Sequence, residues 1–338
     1  MKYEKNIPVV HCFNAGYVIP AAVSFLSMLE HANRKWHYDL YVLHSDLCEE
    51  DTETLSNLVN RFDNATLTFR KIGNECDRLY NALDDAGRRH YSKEMFLKLM
   101  LPDIFPQYDK IIVTDVDVVW EGDVAEYFDS FNSDSNYYLA GVSASKVKCA
   151  SASVLTKENV GEFSAEERLC IADGVGAGFM MLNLAALRRD GVVAKLSRFA
   201  SDNAKRLRNP EQDTFNIVCA GRIQVMPPRM MVCTYLYDQT TEAERESNAP
   251  LIANPIQIHY ASQVKPWNTP SSAKADLWYR WLLETPYFYK AMAKFNPPQE
   301  KTKYWLAACG LPIVRVKQKP MVSATYSLWG IVPLKRRR

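Results

Sequence analysis

Two aspartates, Asp115 and Asp117, follow the apolar run Lys110–Val113 in the segment KIIVTDVDVVW. In an extended chain, residues two apart point to the same side. Two carboxylates held on one side repel each other unless a cation lies between them. Hard divalent ions such as Mg²⁺ and Mn²⁺ take oxygen ligands of this kind. We therefore predict a divalent cation here, although an Asp-x-Asp pair in a solvated surface turn has the same sequence.

A second group of polar residues lies far downstream, in the segment IQIHYASQVKPW at residues 256–267. It presents His259, Lys265 and Trp267 where a short strand runs into a turn. Read alone, the histidine fits a structural role and the Lys-Pro-Trp sequence a rigid surface turn. Together with the acidic pair, an imidazole nitrogen completes a ligand set that suits Mn²⁺. A lysine beside such a metal neutralises the charge that builds on a departing diphosphate.

The elements that must position these residues alternate between strands and helices. Strands are predicted at Ile7–Phe13, Tyr38–Leu43, Ala65–Ile72, Lys110–Val113, Leu139–Ser143, Gly178–Leu184, Ile223–Met226 and Ile256–Tyr260. Helices are predicted at Ala21–His31, Glu49–Phe62, Glu94–Leu101 and Gln212–Cys219. This alternation indicates an α/β domain with a mostly parallel sheet. Such sheets bind ligands at the carboxyl ends of their strands, where the aspartates lie.

The pattern changes after Pro270. Ala273–Leu283 and Tyr287–Phe295 read as aromatic-rich helices, and residues 301–338 contain nine basic residues and no acidic one. We predict a catalytic domain at 1–270 and a membrane-associating segment at 271–338, because aromatic and basic residues together suit a membrane interface. Each basic residue near anionic lipid contributes roughly 1 kcal/mol. No nucleic-acid-binding motif is recognised, so we expect no nucleic acid partner.

The eight cysteines are scattered and form no C-x-x-C pair. This argues against a zinc cluster and a disulfide scaffold, and it indicates a reducing compartment. The N-terminus MKYEKNIPVV lacks the apolar stretch of a signal peptide. No apolar run reaches the roughly 20 residues that span a bilayer. We expect a cytoplasmic protein.

Four sequence blocks, in order, carry a resemblance to glycosyltransferase family 8, which includes bacterial lipopolysaccharide galactosyl- and glucosyltransferases and the glycogenins. The resemblance covers roughly residues 7–270. The blocks are the N-terminal strand with Asn14 to Tyr17, then SKEMFLKLMLPDIFPQYDKIIVTDVDVVW, then GVGAGFMMLNL with PEQDTFN, and finally HYASQVKPW.

The resemblance implies a GT-A fold, a UDP-sugar donor, dependence on Mn²⁺ or Mg²⁺, and retention of anomeric configuration. It implies that the metal ligands are Asp115, Asp117 and His259. It places at the nucleotide and diphosphate Tyr17, which matches a uracil-stacking residue, Asn14, Val116 and Lys265. Near the donor sugar it places Glu211, Gln212 and Asp213. The family leaves open whether the counterpart of Gln212 attacks or only positions the substrate.

The sequence departs from the family pattern at four donor-binding positions. Lys98 stands where Arg is usual, and a lysine lacks the bidentate fork of a guanidinium. Gly176, followed by Ala177, stands where Asn is usual. Ser262 replaces a glycine that lets the backbone approach the phosphate, and Asn14 replaces an acid. These departures leave the donor sugar undecided.

The interpretation we carry forward is a hexosyltransferase that moves galactose or glucose from a UDP-sugar to a lipid-linked saccharide. It would act in bacterial surface polysaccharide or lipopolysaccharide synthesis, peripherally on the inner face of the cytoplasmic membrane. Two alternatives stay open. A haloacid-dehalogenase-like phosphatase would use Asp115 as nucleophile and have no need of His259, and an inactive sugar-nucleotide-binding protein would bind UDP without turnover.

Overall fold

The computed structural model describes residues 2–83, 87, 91–149 and 160–295, together with strand segments 303–308, 311–319, 323–328 and 332–337. The chain forms two compact units, residues 1–286 and 287–338. The predicted domain boundary at residue 270 falls inside the first unit.

The first unit alternates strands with helices, as predicted. Its strands are β1 Asn6–Cys12, β2 His37–His44, β3 Ala65–Lys71, β4 Lys110–Thr114, β5 Val118–Trp120, β6 Leu139–Ser143, β7 Val175–Asn183, β8 Ile223–Val225, β9 Val232–Cys233 and β10 Gln257–His259. Its α-helices are α1 Val18–Glu30, α2 Glu49–Val59, α3 Asp77–Ala82, α4 Leu101–Ile104, α5 Ala165–Ala172, α6 Leu184–Arg189, α7 Val192–Asn203, α8 Pro210–Val218, α9 Tyr235–Asp238, α10 Glu242–Asn248 and α11 Ala275–Leu282. Short 3-10 helices cover Ala15–Tyr17, Lys93–Met100, Ala144–Lys146, Val160–Glu162 and Pro228–Met230.

Seven strands form the central sheet, in the order β3-β2-β1-β4-β7-β6-β8. Four of the neighbouring pairs are parallel, and β7 runs antiparallel to both β4 and β6. The prediction of a mixed, mostly parallel sheet is therefore confirmed. The interior of β1 is buried on both faces, which explains why it reads as a nearly continuous apolar run. Helix α1 covers one face with Ala21, Phe25 and Leu29, all fully buried.

A smaller sheet, in the order β5-β10-β9, crosses the edge where β4 ends. Strand β10 pairs antiparallel with β5, so that His259 lies opposite Val118, and parallel with β9, so that His259 also lies beside Cys233. The backbone N–H of Tyr260 donates to the carbonyl of Asp117 at 2.9 Å. This sheet brings a distant part of the chain to the aspartates.

The second unit contains helix α12 Phe288–Met292 and a four-stranded antiparallel sheet. The strands are β11 Lys303–Ala308, β12 Leu311–Lys319, β13 Ser323–Leu328 and β14 Val332–Arg337, paired in chain order. The helices predicted within 273–295 are present as α11 and α12, whereas no strands were predicted after residue 301. The signal was there, because Val314 and Val316 alternate with Arg315 and Lys317 in the two-residue period of a strand.

Candidate functional site

Three side chains predicted as metal ligands converge at the end of β4. Asp115 and Asp117 follow this strand directly, and His259 ends β10. The His259 Nε2 atom lies 3.3 Å from Asp117 Oδ1 and 3.7 Å from Asp115 Oδ2. One ligand atom from each of the three residues lies within 4.8 Å of the others. Two carboxylate oxygens and one imidazole nitrogen fit Mn²⁺ or Mg²⁺ with further positions left for a substrate.

Each aspartate is also held by a lysine through its other oxygen. Lys98 Nζ lies 2.6 Å from Asp115 Oδ1, and Lys265 Nζ lies 2.6 Å from Asp117 Oδ2. Lys265 donates a further hydrogen bond to the Tyr260 carbonyl. The outer carboxylate oxygens are therefore neutralised by the chain itself, and the inner oxygens face His259.

The charges at this site determine which groups are ionised. Burial acts to raise the pKa of Asp117, but His259 and Lys265 outweigh it and hold that pKa below its ordinary value. Burial likewise acts to lower the pKa of His259, but the Asp117 carboxylate raises it to about 10. A cation must displace the second imidazole proton, because only a deprotonated nitrogen binds metal. Without a cation, the site therefore contains an ionised Asp117 carboxylate and a His259 imidazole whose protonated form is favoured.

Gly178 makes room for the His259 imidazole, a role that was not predicted from the sequence. A Cβ at this position would lie 2.3 Å from His259 Cε1 and 2.6 Å from Nδ1. Its carbonyl accepts a hydrogen bond from the Asp115 backbone N–H at 3.0 Å. Only glycine allows β7 to approach the predicted metal ligand His259 this closely. The run GVGAG, unusual inside a strand, was the available signal.

A cavity of about 700 Å³ opens beside the three ligands. Tyr17 and Trp267 line one end, with ring centroids 5.9 Å apart at 79°. Asn14 also lines it, and its side chain accepts a hydrogen bond from Gly16 N at 3.0 Å, which caps the short 3-10 helix carrying Tyr17. Asp46 accepts from the next backbone N–H, that of Ala15, at 2.8 Å. The loop that carries the predicted base-binding residues is therefore fixed at two points.

Lys98 is the centre of a buried cluster in the wall of the same cavity. Its side chain is 2% exposed, and besides Asp115 it donates to the Ala177 carbonyl at 3.0 Å and lies 3.8 Å from Glu211 Oε1. Burial raises the pKa of Glu211, and Lys98 opposes that shift. Among the described residues, Glu211 Oε2 has no hydrogen-bond partner. Gln212 lies next to this cluster, and its Oε1 accepts from Ala177 N at 3.0 Å.

The remaining predicted site residues divide into two groups. Val116 and Ser262 line the large cavity, and Ser262 Oγ donates to the Val264 carbonyl at 2.9 Å. Asp213 lines neither cavity described here, because its Oδ2 accepts from the backbone N–H groups of Arg208 and Asn209 at 2.9 and 3.0 Å. Asp213 thus stabilises the loop before α8 through these two hydrogen bonds. A carboxylate near the positive end of a helix is favoured for this reason.

Gly176 faces a second, smaller cavity of about 210 Å³. A Cβ at Gly176 would lie 2.6 Å from Met231 Cε, so Met231 takes up space next to this backbone. The small cavity meets the large one at five shared residues, Gly178, Asn209, Gln212, His259 and Ala261. Two cavities that meet at a metal-ligand cluster can bring two substrates together.

Comparison with known proteins agrees with this geometry. The sequence pattern of Glycosyl transferase family 8 matches residues 8–270. Glycosyltransferase GlyF of Streptococcus pneumoniae is 23% identical over 274 residues, which are 80% of this chain and 60% of that protein. The chain thus spans well under two thirds of this relative.

Two solved structures show the same GT-A fold. The WbbM bifunctional glycosyltransferase superposes with a TM-score of 0.69 at 23% identity, over 86% of this chain and 52% of that one. The galactosyltransferase LgtC, solved with donor and acceptor sugar analogues, superposes with a TM-score of 0.62 at 16% identity, over 83% of this chain and 96% of that one. The family match and this fold count against the phosphatase alternative.

Proposed function

Because the chain belongs to glycosyl transferase family 8, we propose that it transfers a hexose, galactose or glucose, from a UDP-sugar to a lipid-linked saccharide. The transfer would retain the anomeric configuration. One observation carries this proposal: Asp115, Asp117 and His259 present three ligand atoms within 4.8 Å of one another in the wall of a cavity.

The large cavity suits a nucleotide sugar in its size and in the kinds of group that line it. Its volume of about 700 Å³ lies within the range of roughly 300–1,000 Å³ found for small-molecule sites. We assign the uracil to the end with Asn14, Tyr17 and Trp267, and the diphosphate to the middle, beside Val116, Ser262 and Lys265. The sugar then reaches the cluster of Lys98, Ala177 and Glu211.

The three ligands would hold Mn²⁺ or Mg²⁺, which neutralises the charge on the departing diphosphate. Lys265 contributes a second positive charge once it turns from Asp117 to the phosphate oxygens. Lys98 keeps Asp115 in place through its outer oxygen, so that the inner oxygen stays directed at the cation. Lys265 therefore makes the diphosphate a better leaving group. Lys98 keeps the predicted metal ligands in a fixed position.

Gln212 lies where the two cavities meet, and we assign it a positioning role. Its amide oxygen already accepts the Ala177 N–H at 3.0 Å, which favours orientation of the substrates over nucleophilic attack. The small cavity would hold the acceptor, since it opens onto the same residue from the other side. The hydroxyl that attacks would arrive at this junction.

We further propose that the basic second unit holds the protein at an anionic membrane, on the inner face of the cytoplasmic membrane. The acceptor would be a lipid-linked saccharide of bacterial surface polysaccharide or lipopolysaccharide. Support comes from the nine basic residues and the absence of acidic ones within 301–338. No helix in the described part of the chain is long and apolar enough to cross a bilayer.

The test is an assay of UDP release and phosphate release by the purified full chain with Mn²⁺ and a panel of UDP-sugars. We expect UDP release, greatest with UDP-galactose or UDP-glucose, and its loss in Asp117→Asn and His259→Ala. Asp109→Asn is the matched control, because this carboxylate is 77% exposed at the other end of β4. Phosphate release, or UDP binding without turnover, would contradict the proposal.

A further inference from the structure

The small cavity differs from the large one in its charge. The large cavity contains Lys98, Asp115, Asp117, Glu211 and Lys265. Among the described residues that line the small cavity there is no aspartate, glutamate, lysine or arginine. Among those residues, the one side chain that can carry a positive charge is His259, which lies at the junction with the large cavity, 3.3 Å from Asp117.

Apolar side chains form much of the wall of the small cavity. Val142, Ile171, Met231 and Leu236 line it, and each is at most 7% exposed. Burial of apolar groups against one face of a ligand is favourable and needs no specific partner. This wall therefore accepts an apolar surface and offers nothing to balance an ionised group.

Neutral polar groups complete the lining. Ser143 and Tyr235 contribute hydroxyls, Cys233 a thiol, and Asn209 and Gln212 two amides. The Ser143 hydroxyl donates to the Asp173 carbonyl at 2.9 Å and accepts from the Ser145 backbone N–H at 3.1 Å. The Gln212 amide, whose oxygen accepts from Ala177 N at 3.0 Å, has N–H groups that can donate to a ligand. Groups of this kind bind hydroxyls through uncharged hydrogen bonds. The combination of neutral polar groups with an apolar wall matches a sugar ring, which has polar edges and apolar faces.

We propose that the small cavity selects an uncharged acceptor, a neutral sugar ring with or without an apolar substituent, and rejects uronate, sialate and phosphorylated sugars. This inference rests on the proposed function, since the cavity must be the acceptor side of a transferase. An ionised group placed against the apolar wall, away from His259, loses its hydration and finds no counter-charge, which is costly. At about 210 Å³ the cavity is below the usual range for drug-sized ligands, roughly 300–1,000 Å³, and so fits a fragment such as one ring.

The first experiment uses the unmodified full chain with Mn²⁺ and its best UDP-sugar. Acceptor pairs that differ only at C6, such as 4-nitrophenyl glucoside and 4-nitrophenyl glucuronide in both anomers, and the matching galactose pair, are compared by product formation. Binding of each glycoside in the presence of UDP and Mn²⁺ is measured by saturation-transfer NMR. We expect the neutral member to exceed its uronate by at least tenfold in kcat/KM or in affinity. Equal use of both members, or failure of the neutral series to bind or react, overturns the proposal.

The second experiment places a charge in the cavity. Met231→Lys puts an ammonium on the apolar wall and should shift the neutral-to-uronate ratio towards the uronate by at least tenfold, whereas Met231→Leu should retain the preference for the neutral ring. Leu169→Lys adds the same charge at a position that is 65% exposed and should leave the ratio unchanged. An unchanged ratio in a folded Met231→Lys variant, verified by its thermal transition, contradicts the proposal. If that variant does not fold, the comparison of acceptors on the unmodified chain decides.

Failure of this inference can be told apart from failure of the proposed function. Slow hydrolysis of the donor in the absence of a saccharide acceptor, in which water takes the sugar and UDP and free hexose are released, reports the transferase site alone when it depends on Mn²⁺ and on Asp117. If that release is present and charged acceptors react as well as neutral ones, only the acceptor selection is wrong.

Discussion

At the scale of single residues, the two aspartates of the site divide their oxygens between two kinds of positive charge. Asp115 gives one oxygen to Lys98, and Asp117 gives one to Lys265, both at 2.6 Å. The other oxygens lie 3.7 and 3.3 Å from His259 Nε2. This arrangement holds the two aspartates in place and leaves free the oxygen atoms that would face the proposed cation. It also means that Lys265 competes electrostatically with the ion it assists.

Replacement of Lys265 by methionine should therefore have opposite effects on two ligands. Without nucleotide, Mn²⁺ should bind to Lys265→Met several-fold to about tenfold more tightly, because a positive charge next to Asp117 is gone. UDP in the presence of saturating Mn²⁺ should bind at least tenfold more weakly, because a charge-assisted contact to the diphosphate is lost. Electron paramagnetic resonance measures the first effect and calorimetry the second.

The control is Lys195→Met, which removes an exposed lysine of α7. It should change neither affinity. Weaker Mn²⁺ binding by Lys265→Met would show that the lysine supports the cation site and does not oppose it.

Gly178→Ala tests the close contact between β7 and the imidazole. The added Cβ would lie 2.3 Å from His259 Cε1, so the ring must move from the aspartates. Metal affinity should fall roughly 10–100-fold, as is typical when the support of a ligand is lost. Manganese titration by paramagnetic resonance measures it, and Gly161→Ala is the control, since nothing lies within 4 Å of a Cβ there. Unchanged metal affinity would contradict the role given to His259.

The residue types alone indicated a cation at Asp115 and Asp117 but left a solvated turn open, and the resemblance to glycosyltransferase family 8 implied that His259 joins them. They could not predict the lysine contacts, which depend on which oxygen each ammonium reaches. Asp213 shows the same limit. Its position beside Gln212 suggested a place at the donor, but two backbone N–H groups hold it elsewhere.

At the scale of elements, helix α11 braces the turn that carries Lys265. The ring of Trp278 lies 5.7 Å from that of Trp267, and the Tyr279 hydroxyl donates to the Pro266 carbonyl at 3.0 Å. The Tyr260 hydroxyl donates to the Lys274 carbonyl at 2.6 Å. The helix therefore lies outside the predicted catalytic segment in sequence but within the unit that holds the site. It makes the position of Lys265 depend on residues that contact no substrate.

Tyr279→Phe removes one hydrogen bond of this brace. A neutral hydrogen bond contributes about 1 kcal/mol, so the KM for the UDP-sugar should rise about fivefold, with kcat within twofold of its original value. Steady-state kinetics with varied donor measure both constants. Tyr137→Phe, at a side chain that is 40% exposed, is the control. A fall in kcat with unchanged KM would contradict a role in positioning the phosphate-binding turn.

Element prediction succeeded where one period dominated the sequence. The buried strand β4 and the amphipathic helix α2 gave clear patterns at the periods of a strand and a helix. The small sheet was harder to predict from the sequence. Strand β9 has only two residues, and its pairing with β10 is set by tertiary contacts. The strands after residue 301 were not predicted, because the many basic residues there indicated a charged segment, although apolar and basic residues alternate at Val314 to Lys317.

At the scale of the whole molecule, the strand register of the second unit places most of its basic residues at one set of alternate positions. By the pairing of β11 to β14, that set contains Trp305 and the basic residues Lys303, Arg315, Lys317, Lys319, Lys335 and Arg337. The other set contains Arg336 and the residues Tyr304, Leu306, Val314, Val316, Tyr326, Leu328, Val332 and Leu334. Like charges at paired positions, such as Lys303 and Lys317, destabilise each other, and we expect an anionic partner to relieve that repulsion.

Flotation with liposomes that contain anionic lipid should therefore capture the full chain, and capture should fall with rising salt because exposed charges are screened. Replacing Arg315, Lys317 and Lys319 by glutamine should lower capture at least tenfold, since each charge contributes roughly 1 kcal/mol. The control replaces three exposed basic residues of the first unit, Lys195, Arg198 and Lys205. Equal loss in both triple variants, or equal capture of a chain that ends at Glu300, would contradict a specific role of the second unit.

The small sheet that joins the two halves of the site has a consequence for biosynthesis. Lys265 follows Asp117 by 148 positions in the chain, and His259 arrives almost as late. A nascent chain that has emerged from the ribosome only as far as Asp117 contains neither His259 nor Lys265. Contacts between such distant segments also form slowly, because a long loop must close first. The nascent protein should therefore bind a divalent ion only after residues 259–265 have emerged from the ribosome, and manganese retention would report that the small sheet has formed.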